Sequence, residues 1–245
     1  MIASSIAGLW LPTALACVAL TYVGAAIQAT LGIGLGMLAA PILALIDPSF
    51  VPVVIVISVL PVSVAVAVAD RAHVETKGIG MALLGRVPGV AVGAFLVAHI
   101  SDSVLSILVA AAVLAGVAAS ITTRRFQPTP SALFGAGFGS GITGTAVGIG
   151  GPPMALTYQH DDPARMRSSL SAFFAVGTVL SIVALTVADQ IGRHELELTA
   201  LVFPAVMLGW WTARLLQHRV PTEAIRPIVL ALCTFSAVAL LVQTI

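Results

Sequence analysis

"GTAVGIGGPPMALTYQHDDP", residues 144–163, starts as an apolar helical stretch, breaks at Gly150, Gly151, Pro152 and Pro153, resumes briefly and ends in a polar cluster. Glycine costs about 1 kcal/mol and proline about 3 in a helix interior, so two of each in succession exclude a continuous helix. The backbone groups freed there need partners. If the stretch lies in a membrane, lipid offers none, and non-helical backbone at that depth is tolerated only when buried in protein or lining a cavity.

Composition places the stretch in a membrane. The chain has 245 residues, 59% of them hydrophobic and 9% charged, with a mean hydropathy of +1.09; ordinary soluble domains are about 25% charged. Apolar runs of about 20 residues, the length that crosses a bilayer core, recur throughout. This describes an all-α polytopic membrane protein whose bulk partner is the lipid bilayer. A formal net charge of +1 argues against a nucleic-acid partner. Cys17 and Cys233 both sit in apolar segments, where a thiol behaves as a small hydrophobic group. No disulfide framework, metal site or cofactor is implied. The N-terminus "MIASSIAGLWLP" lacks the positive region of a signal peptide, although "ALAC" at 14–17 imitates a cleavage site, and it is read as retained.

Eight apolar blocks follow one another, approximately 8–46, 50–69, 78–98, 103–122, 132–159, 168–188, 196–216 and 223–244. The first and fifth are interrupted by glycines: "LGIGLGMLAAP" at 31–41 and "VGIGGPPMA" at 147–155. Each then reaches an Asp-Pro pair, so that Gly32, Gly34 and Asp47-Pro48 in one correspond to Gly148, Gly150 and Asp162-Pro163 in the other. The next helix closes on Val-Ala-Asp in both cases, at residues 68–70 and 187–189. The order of landmarks predicts two copies of one unit, 1–123 and 124–245, as in transporters built from duplicated halves.

Basic residues test whether the broken blocks cross. If all eight blocks span, Arg71, Lys77, Arg124, Arg125 and Arg193 face Arg165, Arg167, Arg214, Arg219 and Arg226, five against five. If the fifth block turns at its break and leaves on the side it entered, the count becomes nine against one, with Arg193 alone, and the positive-inside rule places the nine in the cytoplasm. Repeat symmetry extends the same geometry to the first block, which has no Lys or Arg before it. Each half is then a broken hairpin plus three spans, an odd number of crossings, and the halves are inverted. The two breaks meet near the midplane, where half-helices aim free N–H groups and the positive ends of their dipoles at the centre, an arrangement that favours an anion. Gly34, Gly36, Gly150 and Gly151 let backbone approach a ligand closely, and Pro152 and Pro153 suit a first helical turn.

These residues resemble the sulfite exporter TauE/SafE family, also called TSUP. The resemblance rests on "GIGGPPMAL" after a Gly-rich helix, on its partner "QATLGIGLGMLAAP" and on the two four-block halves, and it covers essentially the whole chain. It implies a multi-pass carrier of the bacterial inner membrane for small sulfur-containing or organic anions such as sulfite and sulfonates, some members acting as exporters. One departure is the first-half motif, where Gly34-Leu35-Gly36 replaces a more polar surround.

Further candidates carry alternatives. "GSGITG", 139–144, matches a dinucleotide fingerprint with Asp161 near the ribose-acid offset, but no strand precedes it; a small-residue packing face or a cavity wall fits better. Thr143 and Thr145 offer hydroxyls to an anion or to their own backbone. Gln28, four residues before Gly32, supplies an amide to a ligand or to a neighbouring helix. Arg86 lies eight residues beyond Gly78, about 12 Å along its helix, so it either snorkels to the interface or faces an anion route. Tyr158, His160, Asp161 and Asp162 form a cytoplasmic mouth, in which His160 relays protons or merely sits in a solvated loop. The expected binding set is Gln28, Gly32, Gly34, Gly36, Arg86, Thr143, Thr145, Gly148, Gly150, Gly151, Pro152 and Pro153. The function class is a secondary carrier of a small anion; carriage of carboxylates or a channel is the alternative, and an intramembrane enzyme is disfavoured because no nucleophile–base pair, carboxylate pair or metal motif lies at helix depth. A homodimer is an open expectation.

Overall fold

The computed structural model describes residues 5–122, 129–158, 162–216 and 222–244. His160, Asp161, Arg124, Arg125 and Arg219 lie outside the described residues. A short antiparallel hairpin, β1 (Ser5–Ile6) and β2 (Leu9–Trp10), comes first, closed by Ala7 and Gly8 at φ 52° and 79°. It takes the first residues of the block expected from residue 8, so the first helix begins only at Leu11, because two left-handed residues make the tight turn that joins twisted strands. Among the described residues ten α-helices follow: α1 (Leu11–Leu31), α2 (Leu35–Ile46), α3 (Val53–Ala69), α4 (Thr76–His99), α5 (Asp102–Thr122), α6 (Pro130–Ala146), α7 (Gly151–Tyr158), α8 (Pro163–Val187), α9 (Arg193–Leu216) and α10 (Thr222–Thr244). Helix α8 starts five residues before its apolar block. The Asp162 carboxylate accepts from the amides of Ala164 and Arg165, and Pro163 occupies the first turn, so a polar segment is capped into the helix.

Among the described residues seven segments are long and apolar enough to cross a membrane: α1, α3 with the turn before it, α4, α5, α8, α9 and α10. The protein is an all-α polytopic membrane protein. Helices α2, α6 and α7 have 12, 17 and 8 residues. At 1.5 Å per residue none reaches the roughly 30 Å of a hydrocarbon core.

The chain reverses at both breaks. Leu35 packs back on Gly24, where an added Cβ would lie 3.3 Å from the Leu35 Cα; in a straight helix eleven residues separate two positions by about 16 Å. At the second break the Ser140 hydroxyl donates to the Gly150 carbonyl at 2.6 Å, and Pro153 lies beside Gly139. Each reversed unit has both ends on one face of the bundle. Gly8, before α1, and Asp47, after α2, both meet His194 at the start of α9. Leu133 and Tyr158, at the two ends of the second unit, both lie beside Gly78 at the start of α4. The first face is at the N-terminal end of α3. The second is at its C-terminal end, where Asp70 pairs with Arg167 of α8 at 2.6 Å and the Glu75 amide donates to Ser169.

The more extensive helix pairings obey an exchange rule. Helix α1 packs on α9 as α6 packs on α4, α2 on α10 as α7 on α5, and α3 on α9 as α8 on α4, while α3 pairs with α8 and α5 with α10. Small residues make the α4–α6 contact close: a Cβ on Gly85, Gly89 or Gly137 would collide with the carbonyls of Phe134, Phe138 or Ala82. The run 139–144 therefore lies inside a helix, with Gly141 against α4 and Gly144 on a cavity wall.

Candidate functional site

Two irregular segments, 32–34 and 147–150, meet inside the bundle. Gly36 approaches so closely that a Cβ there would collide with the Gly148 carbonyl oxygen, and Ile33 packs on Gly151. Gly34 and Gly148 hold φ of 150° and 72°, which side chains adopt only with strain. Between the segments lies a small cavity of about 30 Å³, lined by Gln28, Ile33, Gly34, Gly36, Met37, Val56, Val59, Arg86, Gly144, Gly148 to Gly151, Phe174, Thr178 and Ser181.

Arg86 is the charge in this wall. It stands ten residues into α4, about 15 Å along a helix about 36 Å long, and is 2% exposed, so it does not snorkel. One of its terminal nitrogens, Nη1, donates to the Ser140 hydroxyl at 2.9 Å, and Ser140 passes the link on to the Gly150 carbonyl. The guanidinium carbon lies 4.9 Å and 5.7 Å from the ring centroids of Phe173 and Phe174. Its Nε, buried, has no hydrogen-bond partner. Gly177 makes room for it, since a Cβ there would collide with the guanidinium. Arg167–Asp70, Arg193–Glu197 and His194–Asp47 form ion pairs, and none of these residues lines the cavity. A buried cation without a carboxylate is costly, and two rings and one hydroxyl compensate it only partly.

Helix termini add dipoles. The α2 amides of Leu35, Gly36 and Met37 precede the first intrahelical bond, which runs from Leu38 to Gly34. Gln28 takes the Leu35 amide on its Oε1 and donates through Nε2 to Ser63, so its carboxamide serves both the interhelical link and the cavity wall. The α7 terminus contributes less, because Pro152 and Pro153 have no N–H. At Gly150 the constraint is space and not a positive φ: a Cβ would stand 3.0 Å from the Ser140 Oγ and 3.3 Å from the Gly144 Cα.

Of the residues expected to form the site, Gln28, Gly34, Gly36, Arg86, Gly148, Gly150 and Gly151 line the cavity, and the others lie apart from it. Gly32 caps α1 in a left-handed conformation against the Arg167 backbone. Thr143 donates back to the Gly139 carbonyl, and Thr145 bonds Ser181 at 2.8 Å, one step behind the wall. Pro152 packs on Gly116 and Pro153 on Gly139. Ser140, Phe173, Phe174, Thr178 and Ser181 were not anticipated. Ser171, Phe174, Thr178 and Ser181 recur on one face of α8 at spacings of three and four, a signal that was legible; the meeting of Phe173 with Arg86 was not, being tertiary.

The fold and the site define a helical multi-pass membrane protein with a buried cation in the wall of a cavity. The family model described as "Sulfite exporter TauE/SafE" matches residues 16–240, and the chain belongs to that family. Neither the curated proteins nor the solved structures give a match.

Proposed function

We propose that the protein is a secondary carrier that exports a small sulfur-containing anion, sulfite or an organosulfonate, across the bacterial inner membrane, binding it in the cavity between the two breaks. The carrying observation is Arg86: buried, facing the cavity, with Nε unpartnered and, among the described residues, no carboxylate paired with it. The substrate class and the inner-membrane location rest on the family. We take 1–123 and 124–245 as inverted repeats, each a re-entrant hairpin followed by three spans; the exchange rule in helix pairing and the hairpin ends at opposite ends of α3 support this. Rocking of one repeat against the other then opens the cavity to each side in turn. Gln28, Gly34, Gly36, Gly148, Gly150 and Gly151 form the wall around the anion, and Ser140 holds Arg86 to the α7 terminus.

Calorimetric titration of the purified protein with sulfite under nitrogen tests the reading. Arg86→Gln is expected to weaken binding about a hundredfold, since a hydrogen bond to a charged group is worth about 1.5–3 kcal/mol and the ion contact adds to it. Gly177→Ala, which displaces the guanidinium while leaving it charged, is expected to weaken binding without preventing purification as a single species. Unchanged affinity in both variants would move the site elsewhere. Uptake of carboxylates with no uptake of sulfur oxyanions in proteoliposomes would overturn the substrate class.

A further inference from the structure

The number of charges around the cavity limits the charge of what it can hold. We infer that the site selects singly charged oxyanions, hydrogensulfite or a sulfonate, and rejects doubly charged ones, sulfate and the sulfite dianion; this rests on the reading of Arg86 as the anion's partner. Each element packed around Arg86 supplies neutral groups to it: Ser140 and Gly144 from α6, Phe173, Phe174 and Gly177 from α8. The remaining cavity wall is glycine, aliphatic side chains, Gln28, Met37, Thr178 and Ser181, with no ionisable group. The charged pairs Asp70–Arg167 and Asp47–His194 sit at opposite faces of the bundle.

One anionic charge against one guanidinium leaves the site neutral. A second would remain uncompensated in a wall of low dielectric, where hydroxyls and helix-end amides offer only partial charges. Size does not make this choice, because sulfate and methanesulfonate are both tetrahedral and of similar dimensions. For sulfite the consequence is a dependence on pH that belongs to the ligand. Above its second ionisation the monoanion falls tenfold per pH unit, and apparent affinity falls with it.

The test is calorimetric titration of the purified full chain with sulfite, sulfate and methanesulfonate from about pH 6 to about pH 9. Methanesulfonate keeps one charge throughout, so its arm reports any change in the protein's own charge. The expected result is constant methanesulfonate affinity, sulfite affinity falling about tenfold per unit at the alkaline end, and sulfate weaker than methanesulfonate by on the order of a hundredfold. Sulfite affinity that holds or rises with pH, or sulfate binding as tight as methanesulfonate, would overturn charge selection and leave the anion-carrier reading intact. Failure of all three anions to bind at any pH would overturn both.

Discussion

At the scale of single residues, two properties of glycine shape the cavity. Gly34 combines a φ of 150° with Ile27 pressed against the position of a Cβ, so any side chain there meets both backbone strain and a clash. Gly150 is constrained by proximity alone, to Ser140 and Gly144. Gly34→Val and Gly150→Val are therefore expected to abolish anion binding by filling or deforming the wall, with Gly34→Val losing more stability. Gly80→Ala, at a position with nothing within 4 Å of an added Cβ, is the control. Titration of the three variants with sulfite, after each elutes as one species, checks this. Wild-type affinity in both valine variants would reduce the breaks to packing or hinge devices.

At the scale of elements, the helix ends are tied across the bundle by polar contacts. Arg167 joins α8 to the end of α3 through Asp70, and Asp47, after α2, accepts from His194 of α9 at 3.1 Å. Burial pushes the Asp47 carboxyl up, but the hydrogen bonds from His194 and from the Ser49 amide outweigh it and hold the group below the ordinary carboxylate range. A depressed value means that this contact adds stability above the unfolded carboxylate pKa of about 3.9 and that the contribution is lost as pH falls through the folded value. Thermal unfolding in detergent should separate wild type from Asp47→Asn by a few degrees near pH 6. The gap should narrow as pH falls through the folded value. A gap that persists at the acid end would assign the effect of the substitution to lost packing and not to the carboxylate's charge.

For the whole molecule, the distribution of basic residues and the geometry of the hairpins bear on one topology. Arg71, Lys77, Arg165 and Arg167 stand at the end of the bundle where α3 finishes and α4 and α8 begin, and Arg193 stands at the other end with His194. Single cysteines at Ala72 and Ala164, in a background lacking Cys17 and Cys233, should both be shielded from an impermeant thiol reagent added outside intact cells. Opposite accessibility at the two positions would restore eight full spans and remove the inverted repeat.

The sequence by itself determined the class of protein, the blocks and the location of both breaks, because hydropathy over a helix length and the cost of Gly and Pro in a helix are local quantities. It also marked Arg86 as unusual, without deciding between an interfacial and an interior placement, since a position eight residues beyond Gly78 is compatible with either. The tertiary structure settled that choice by packing Phe173, Phe174 and Gly177 of α8 around the guanidinium, contacts between residues about ninety positions apart that no local pattern encodes. It also turned Thr143 and Thr145 away from the cavity and set Ser140 between Arg86 and the Gly150 carbonyl. Where a hydroxyl points depends on which helix packs beside it, and that packing is a property of the folded bundle alone.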